Sequence, residues 1–222
     1  MTLAELIRRF RTDSGDKVEP YFWPDEEVTD FLNDGQVQAC MRARLLREDA
    51  LPAMCEVDLA VGQHTYALHS KLYEIINLRL SPGNGGKARG IDLKSREWLD
   101  AEMPDWRDAQ FPARFAVQNE TSLRVVGVIE PGDRLLLEAY RLPLKGLRNE
   151  MDKPEIHEAS HKHLIAWALH KAFSIPDADT SDLQRAALAE QQFTDYFGPP
   201  VDSDLRRATR VDVEHHTHVY LP

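Results

Sequence analysis

Cysteine is nearly missing from this chain: Cys40 and Cys55 are the only two in 222 residues. Two are too few for a disulfide framework, so a reducing cytoplasm is the expected place of synthesis. No apolar run reaches membrane-spanning length, and Met1-Thr2-Leu3-Ala4-Glu5-Leu6 lacks the layout of a signal peptide. Net positive charge is also lacking. Lys and Arg number 27 against 37 Asp and Glu, a formal charge of −10, so there is no global basic footprint for gripping nucleic acid. Acidity is still compatible with DNA nearby, because a surface past which DNA slides works better repulsive than sticky. What is present, 42% hydrophobic and 29% charged residues, fits a soluble globular protein of one domain or two small ones.

Helical signals occupy both ends. Leu3, Leu6, Ile7 and Phe10 share one face of a short helix that Asp13-Ser14-Gly15-Asp16 ends. Arg8, Arg9 and Arg11 beside that face allow a membrane-surface helix, but so early a stop favours a packed bundle helix. Trp23-Pro24-Asp25-Glu26-Glu27 then starts a second helix, with proline in the first turn and acids at the positive end of the dipole. Val28, Phe31, Leu32, Gly35, Ala39, Ala43 and Leu46 carry its stripe to about Leu46. Gly35 is tolerable there if another helix passes close. A helix from Pro154 to Phe173 and another after Thr180-Ser181-Asp182, with Ala186, Ala189, Phe193, Tyr196 and Phe197 as its stripe, close the pattern before Gly198-Pro199-Pro200.

Between these ends the period changes to two. Strands are expected over 55–61, 64–68, 72–80, 91–93, 113–118, 122–128 and 133–140, with a helical turn over 95–99. Pro82-Gly83-Asn84-Gly85-Gly86-Lys87 reads as a hairpin tip. A phosphate-cradling loop would need Gly at 81 and a hydroxyl at 88, where Ser81 and Ala88 stand. The expected fold is therefore α+β: a helical bundle of residues 1–51 and 144–198, an inserted antiparallel β-sandwich or barrel of 52–143, and an extended C-terminal arm of 199–222. In the arm, Val211-Asp212-Val213-Glu214 alternates and Val219-Tyr220-Leu221 ends apolar, which suits strand addition to a partner. The neighbouring His215, His216 and His218 read as an accidental cluster rather than a metal tract.

One stretch spells chemistry. His157-Glu158-Ala159-Ser160-His161 fits H-E-x-x-H, in which two His one helical turn apart hold zinc and Glu activates water. On a helix both His would share the stripe of Leu164, Ile165, Ala168 and Ala172. A catalytic zinc needs a third protein ligand; the extended pattern wants Gly at 164 and His at 167, and the chain has Leu164 and Trp167, leaving Glu190 as a distant substitute. The motif therefore reads as architecture, with a zinc-dependent hydrolase as the alternative. A carbohydrate-binding β-module using Trp98 or Trp106 is a third reading, against which both Trp serve as core.

The order of several short signals resembles the head-to-tail adaptors of tailed bacteriophages, in particular the tail-tubular-A-like adaptors of short-tailed phages. They are Leu6-Ile7-Arg8-Arg9-Phe10-Arg11, Trp23-Pro24-Asp25-Glu26-Glu27-Val28 with Phe31-Leu32-Asn33, and Gly62-Gln63-His64-Thr65-Tyr66-Ala67-Leu68. Leu99-Asp100-Ala101-Glu102-Met103-Pro104-Asp105-Trp106 with Phe111-Pro112, Leu135 to Pro143, and Lys153-Pro154-Glu155-Ile156-His157 follow in the same order. The chain departs from the family pattern at His69, where a proline is expected, and at Val128-Ile129-Glu130-Pro131, which has one proline where two are common.

The resemblance implies a structural virion protein of the neck or tail, made in the bacterial host cytoplasm, with no enzymatic activity, cofactor, bound metal or membrane. It implies a closed ring of about twelve copies under the portal protein, joined below to a tail tube or nozzle protein. Duplex DNA would pass through the channel without sequence-specific binding. Within that picture Val211, Val213, Tyr220 and Leu221 are the expected anchors of the arm on the portal.

Overall fold

The computed structural model describes residues 1–176 and 181–200. Along the chain come α1 (Leu3–Ser14), α2 (Asp25–Ala43), β1 (Arg47–Glu48), a single turn α3 (Pro52–Cys55), β2 (Glu56–Asp58), β3 (Thr65–Ala67) and β4 (Leu72–Ser81). They are followed by β5 (Arg89–Gly90), β6 (Asp92–Leu93), α4 (Arg96–Glu102), β7 (Phe115–Gln118), β8 (Ser122–Val126) and β9 (Arg134–Arg141). The last two helices are α5 (Leu164–Phe173) and α6 (Leu183–Phe197). The protein is α+β, and its contacts divide it into two compact units. One comprises Met1–Arg47 with Arg141–Pro200; the other includes Glu48–Tyr140.

In the first unit, α1, α2, α5 and α6 share one apolar core. A capping box starts α1: the Thr2 hydroxyl accepts from the Glu5 amide and the Glu5 carboxylate accepts from the Thr2 amide. Leu3, Leu6 and Phe10 are buried along one face, and Gly15 in the left-handed region ends the helix. The small residue at Gly35 has a direct cause. A Cβ there would lie 3.1 Å from the Trp167 Cβ and 3.4 Å from the Leu164 carbonyl oxygen, because α5 crosses α2 at this point. Asp182 caps α6 by accepting from the amides of Gln184 and Arg185.

Two expected helices are shorter than their periodicity. The second stops at Ala43 rather than near Leu46: Arg44 is left-handed, and the Leu46 carbonyl accepts from the Arg141 amide, a sheet-type bond that the helix would forbid. The helix expected from Pro154 begins later, as a 3-10 turn over Glu158–His163 that passes into α5. Tertiary bonds hold the preceding residues out of helix. The Glu155 amide donates to the Gln36 side chain at 2.7 Å, and the Glu155 carboxylate accepts from Arg141 and from the amides of Leu144 and Lys145.

The second unit holds two sheets. One has the order β1-β9-β4-β5 with β2 also on β9; the other has the order β3-β8-β7-β6. Both send alternate residues into one core, among them Leu78 and Leu80 from β4, Leu135 and Leu137 from β9, and Leu123 and Val125 from β8. The strand pattern predicts wholly antiparallel pairing, and the structure departs from it. β6 and β7 run parallel, with Asp92 opposite Phe115. Parallel neighbours need a long crossover, which residues 94–114 provide. That crossover contains α4 and covers a separate cluster of Leu99, Trp106, Phe115, Val117 and Val126. Trp106 is buried and Trp98 half-buried against the same cluster, so the core reading of both fits better than a sugar platform. The Tyr66 hydroxyl donates to the Gln63 carbonyl at 2.7 Å and accepts from the Ala60 amide at 2.9 Å, so the tyrosine of the Gly62–Leu68 stretch ties down its own turn.

Candidate functional site

The H-E-x-x-H residues do not share a helical face. His157 lies outside the 3-10 turn as its cap, exposed, with Nδ1 accepting from the Ala159 amide. His161 is buried, and both ring nitrogens are engaged. Nε2 lies 2.9 Å from the Ile156 carbonyl oxygen; Nδ1 lies 2.8 Å from the Met1 amino group and 3.2 Å from the Met1 carbonyl oxygen. Glu158 is exposed and 3.4 Å from the same amino group. Its hydrogen bond to that ammonium, and the ammonium's charge, hold the carboxyl below its ordinary range, the opposite of what a water-activating base requires. Among the described residues no three His, Cys, Asp or Glu side chains are grouped to hold a metal ion. What the motif does here is fasten the start of α1 to the start of α5.

A second constellation escapes sequence reading altogether. Arg11, on α1, and Asp16, just beyond it, form an ion pair at 2.5 Å with side chains 9% and 2% exposed. The Asp16 carboxylate also accepts from the amides of Phe22 and Trp23, while the other arm of Arg11 reaches Asp25 and its guanidinium lies 3.9 Å from the centre of the Tyr21 ring. These bonds shape the loop of residues 15–23. The result is a loop whose Trp23 is buried against Phe10 and Phe173, while Val18 and Phe22 point to solvent at 78% and 65% exposure. In sequence, Arg11 and Asp16 are charged residues at a helix end, and nothing in their spacing marks them as buried.

The third feature is a groove of about 480 Å³ along α5. It is lined by Asp13, by Ile165, Ala166 and Leu169 of α5, and by Gln192, Asp195 and Tyr196 of α6. His163 also lines it, and its ring stacks on Tyr196, centroids 3.5 Å apart and planes 10° from parallel. Burial, with a smaller contribution from Lys162, holds the His163 imidazole below its ordinary value, so it is a neutral stacking surface at pH 7. Tyr196, expected on the apolar stripe of α6, is instead exposed and lines this groove. Neither cysteine offers a nucleophile. Burial pushes the Cys40 thiol up to about 12, and burial followed by the nearby Glu48 and Asp49 raises that of Cys55.

A comparison with family models decides what these features belong to. The model described as SU10 adaptor protein matches residues 1–213. The chain belongs to that family. The match takes in both compact units and runs past α6. A comparison with curated proteins finds no match. Membership of the SU10 adaptor family makes this a phage adaptor-type protein with a structural role, as the resemblance in its short signals implied. Among its described residues nothing favours the zinc hydrolase. No helix among its described residues is long and apolar enough to cross a membrane. The anchors expected on the arm, Val211, Val213, Tyr220 and Leu221, lie outside the described residues, as do His215, His216 and His218.

Proposed function

We propose that this adaptor is a head-to-tail connector of the tail-tubular-A-like kind. About twelve copies close into a ring beneath the portal protein and join it to the tail tube or nozzle. The observation that carries this reading is the family match across residues 1–213. The engagement of His157 with the Ala159 amide, of Glu158 with Met1, and of His161 with Met1 and Ile156 fits a structural part for this stretch. The ring continues the DNA channel, and the chain's net charge of −10 supports a lumen that duplex DNA crosses without being held. Tight duplex binding by assembled rings at physiological salt would contradict that part.

In this reading residues 199–222 are an arm that docks on the portal, with Val211, Val213, Tyr220 and Leu221 as its apolar anchors and the alternation of 211–215 suited to adding a strand. Among the described residues, the buried cores of the helical unit and the β-module are built from residues up to Phe197. A chain ending at Pro200 should therefore fold as before and lose attachment to the portal in co-sedimentation, by at least tenfold. Attachment at the level of the full chain would refute the arm's role.

A further inference from the structure

Five asparagines stand in the chain, and the residues that follow them are Asp34, Leu78, Gly85, Glu120 and Glu150. Only Gly85 has no side chain to keep its backbone nitrogen away from the preceding amide carbon. Asn84-Gly85 lies in the connection between β4 and β5, where residues 83–87 are exposed to water. The loop is pinned at Gly83, whose amide donates to the buried Asp133 carboxylate and where a Cβ would stand 2.6 Å from the Gly132 Cα. Two residues on, the pinning has ended: at Gly85 a Cβ would meet nothing within 4 Å, and the φ of +76° is one that glycine adopts freely. The Asn84 side chain is folded back on the main chain, with Oδ1 accepting from the Gly86 amide at 3.0 Å. That donor draws electron density from the amide carbon and stabilises the negative charge that develops on Oδ1 when the carbon is attacked. One bond opposes attack. The Gly85 amide donates to the Pro82 carbonyl, but at 3.2 Å, the long end of the normal range.

We propose that Asn84 is a site of self-modification, at which the Gly85 nitrogen closes a succinimide ring on the Asn84 side chain and the asparagine becomes aspartate or isoaspartate. The bond that forms joins the Gly85 nitrogen to Asn84 Cγ. The bond that breaks is Cγ–Nδ2, and the side-chain nitrogen leaves as ammonia with the proton that the Gly85 nitrogen gives up. Water then opens the ring. Opening at Cγ gives aspartate; opening at the main-chain carbonyl gives isoaspartate, whose main chain is one carbon longer. Water is the sole co-reactant, and nothing is oxidised or reduced. The doublet alone does not decide the site. Asp34-Gly35 could close the same ring, but it lies within α2, where helical bonding engages the glycine amide and a Cβ at Gly35 would stand 3.1 Å from the Trp167 Cβ. At Asn84 the product places a new negative charge beside a hollow of about 760 Å³ that this residue lines with Arg89, Glu130 and Asp133.

The test holds the folded, full-length chain for days in warm buffer made with oxygen-18 water, at neutral and at alkaline pH, and maps its peptides by mass spectrometry. The heavy oxygen marks conversions that occur during the incubation and separates them from those of the digestion. Asn84 should convert at least about tenfold faster than Asn33, Asn77, Asn119 and Asn149, the four internal controls. The rate should rise with pH, because the attacking nitrogen must lose its proton. Isoaspartate should be among the products, since ring opening makes it and direct hydrolysis of the side chain does not. Asn84→Gln, which would have to close a larger ring, should leave the peptide unchanged over the same period. Conversion at Asn84 no faster than at the other four asparagines, or aspartate formed without isoaspartate, would overturn the proposal.

Discussion

Replacing Asp16 with alanine should destabilise the helical unit by about 3–5 kcal/mol, the range for removing one partner of a buried ion pair. The side chain is 2% exposed and holds Arg11 at 2.5 Å. Its carboxylate also accepts from the amides of Phe22 and Trp23. The deletion leaves those amides without an acceptor and leaves the buried guanidinium with Asp25, whose own side chain is 62% exposed and hydrated. The loss extends to Trp23, which carries edge-on contacts to both Phe10 and Phe173 and so links α1 to α5. Asp16→Asn should cost less, because its one amide oxygen can still accept from the Phe22 amide that bonds Oδ1. Urea unfolding of the two variants separates charge from hydrogen bonding. A loss below about 1 kcal/mol for the alanine variant would show that the pair is replaceable by water.

Gly127→Ala should be as damaging in the β-module, by about 2–6 kcal/mol, combining positive-φ strain with overpacking. Gly127 has φ +111°, and a Cβ there would stand 2.6 Å from the Phe111 carbonyl oxygen and 2.7 Å from the Ala113 Cα. Both obstacles are backbone, so no side chain can turn aside. The Val128 amide donates to Phe111 at 2.7 Å and the Ala113 amide to Val128 at 3.1 Å, so any shift breaks the link between β8 and the end of the crossover. Gly62→Ala is the control, because φ is +79° there and nothing lies within 4 Å of the added carbon. It should cost only the strain, about 1–2 kcal/mol. Equal losses at the two positions in thermal or urea unfolding would mean that crowding at Gly127 contributes nothing.

What the sequence showed, and what it hid, divides by the range of the interactions. α1 could be read from Leu3, Leu6 and Phe10 and from Gly15, and the close approach at Gly35 from a glycine amid helix formers, because periodicity and capping are local. The late start of α5 could not. It depends on Gln36 holding the Glu155 amide and on Arg141 holding the Glu155 carboxylate, partners that no window of sequence brings together. The same distance misled the reading of His157 and His161 as neighbours on one stripe, and burial of His161 against Met1 and Ile156 supplies the correction. Parallel pairing of β6 with β7 was hidden because β6 is two residues long and carries no register of its own. The loop and groove were hidden for another reason. Arg11, Asp16 and Tyr196 have side chains whose usual place is the surface, and only tertiary structure shows two of them buried and the third lining a cleft.

If this adaptor rings the portal, native mass spectrometry of the chain mixed with the portal of the same virus should register it. A mass increase equal to a closed ring of about twelve metal-free chains on each portal is expected, whether or not the free chain is already assembled. A chain that leaves the portal mass unchanged at every ratio tried would contradict it.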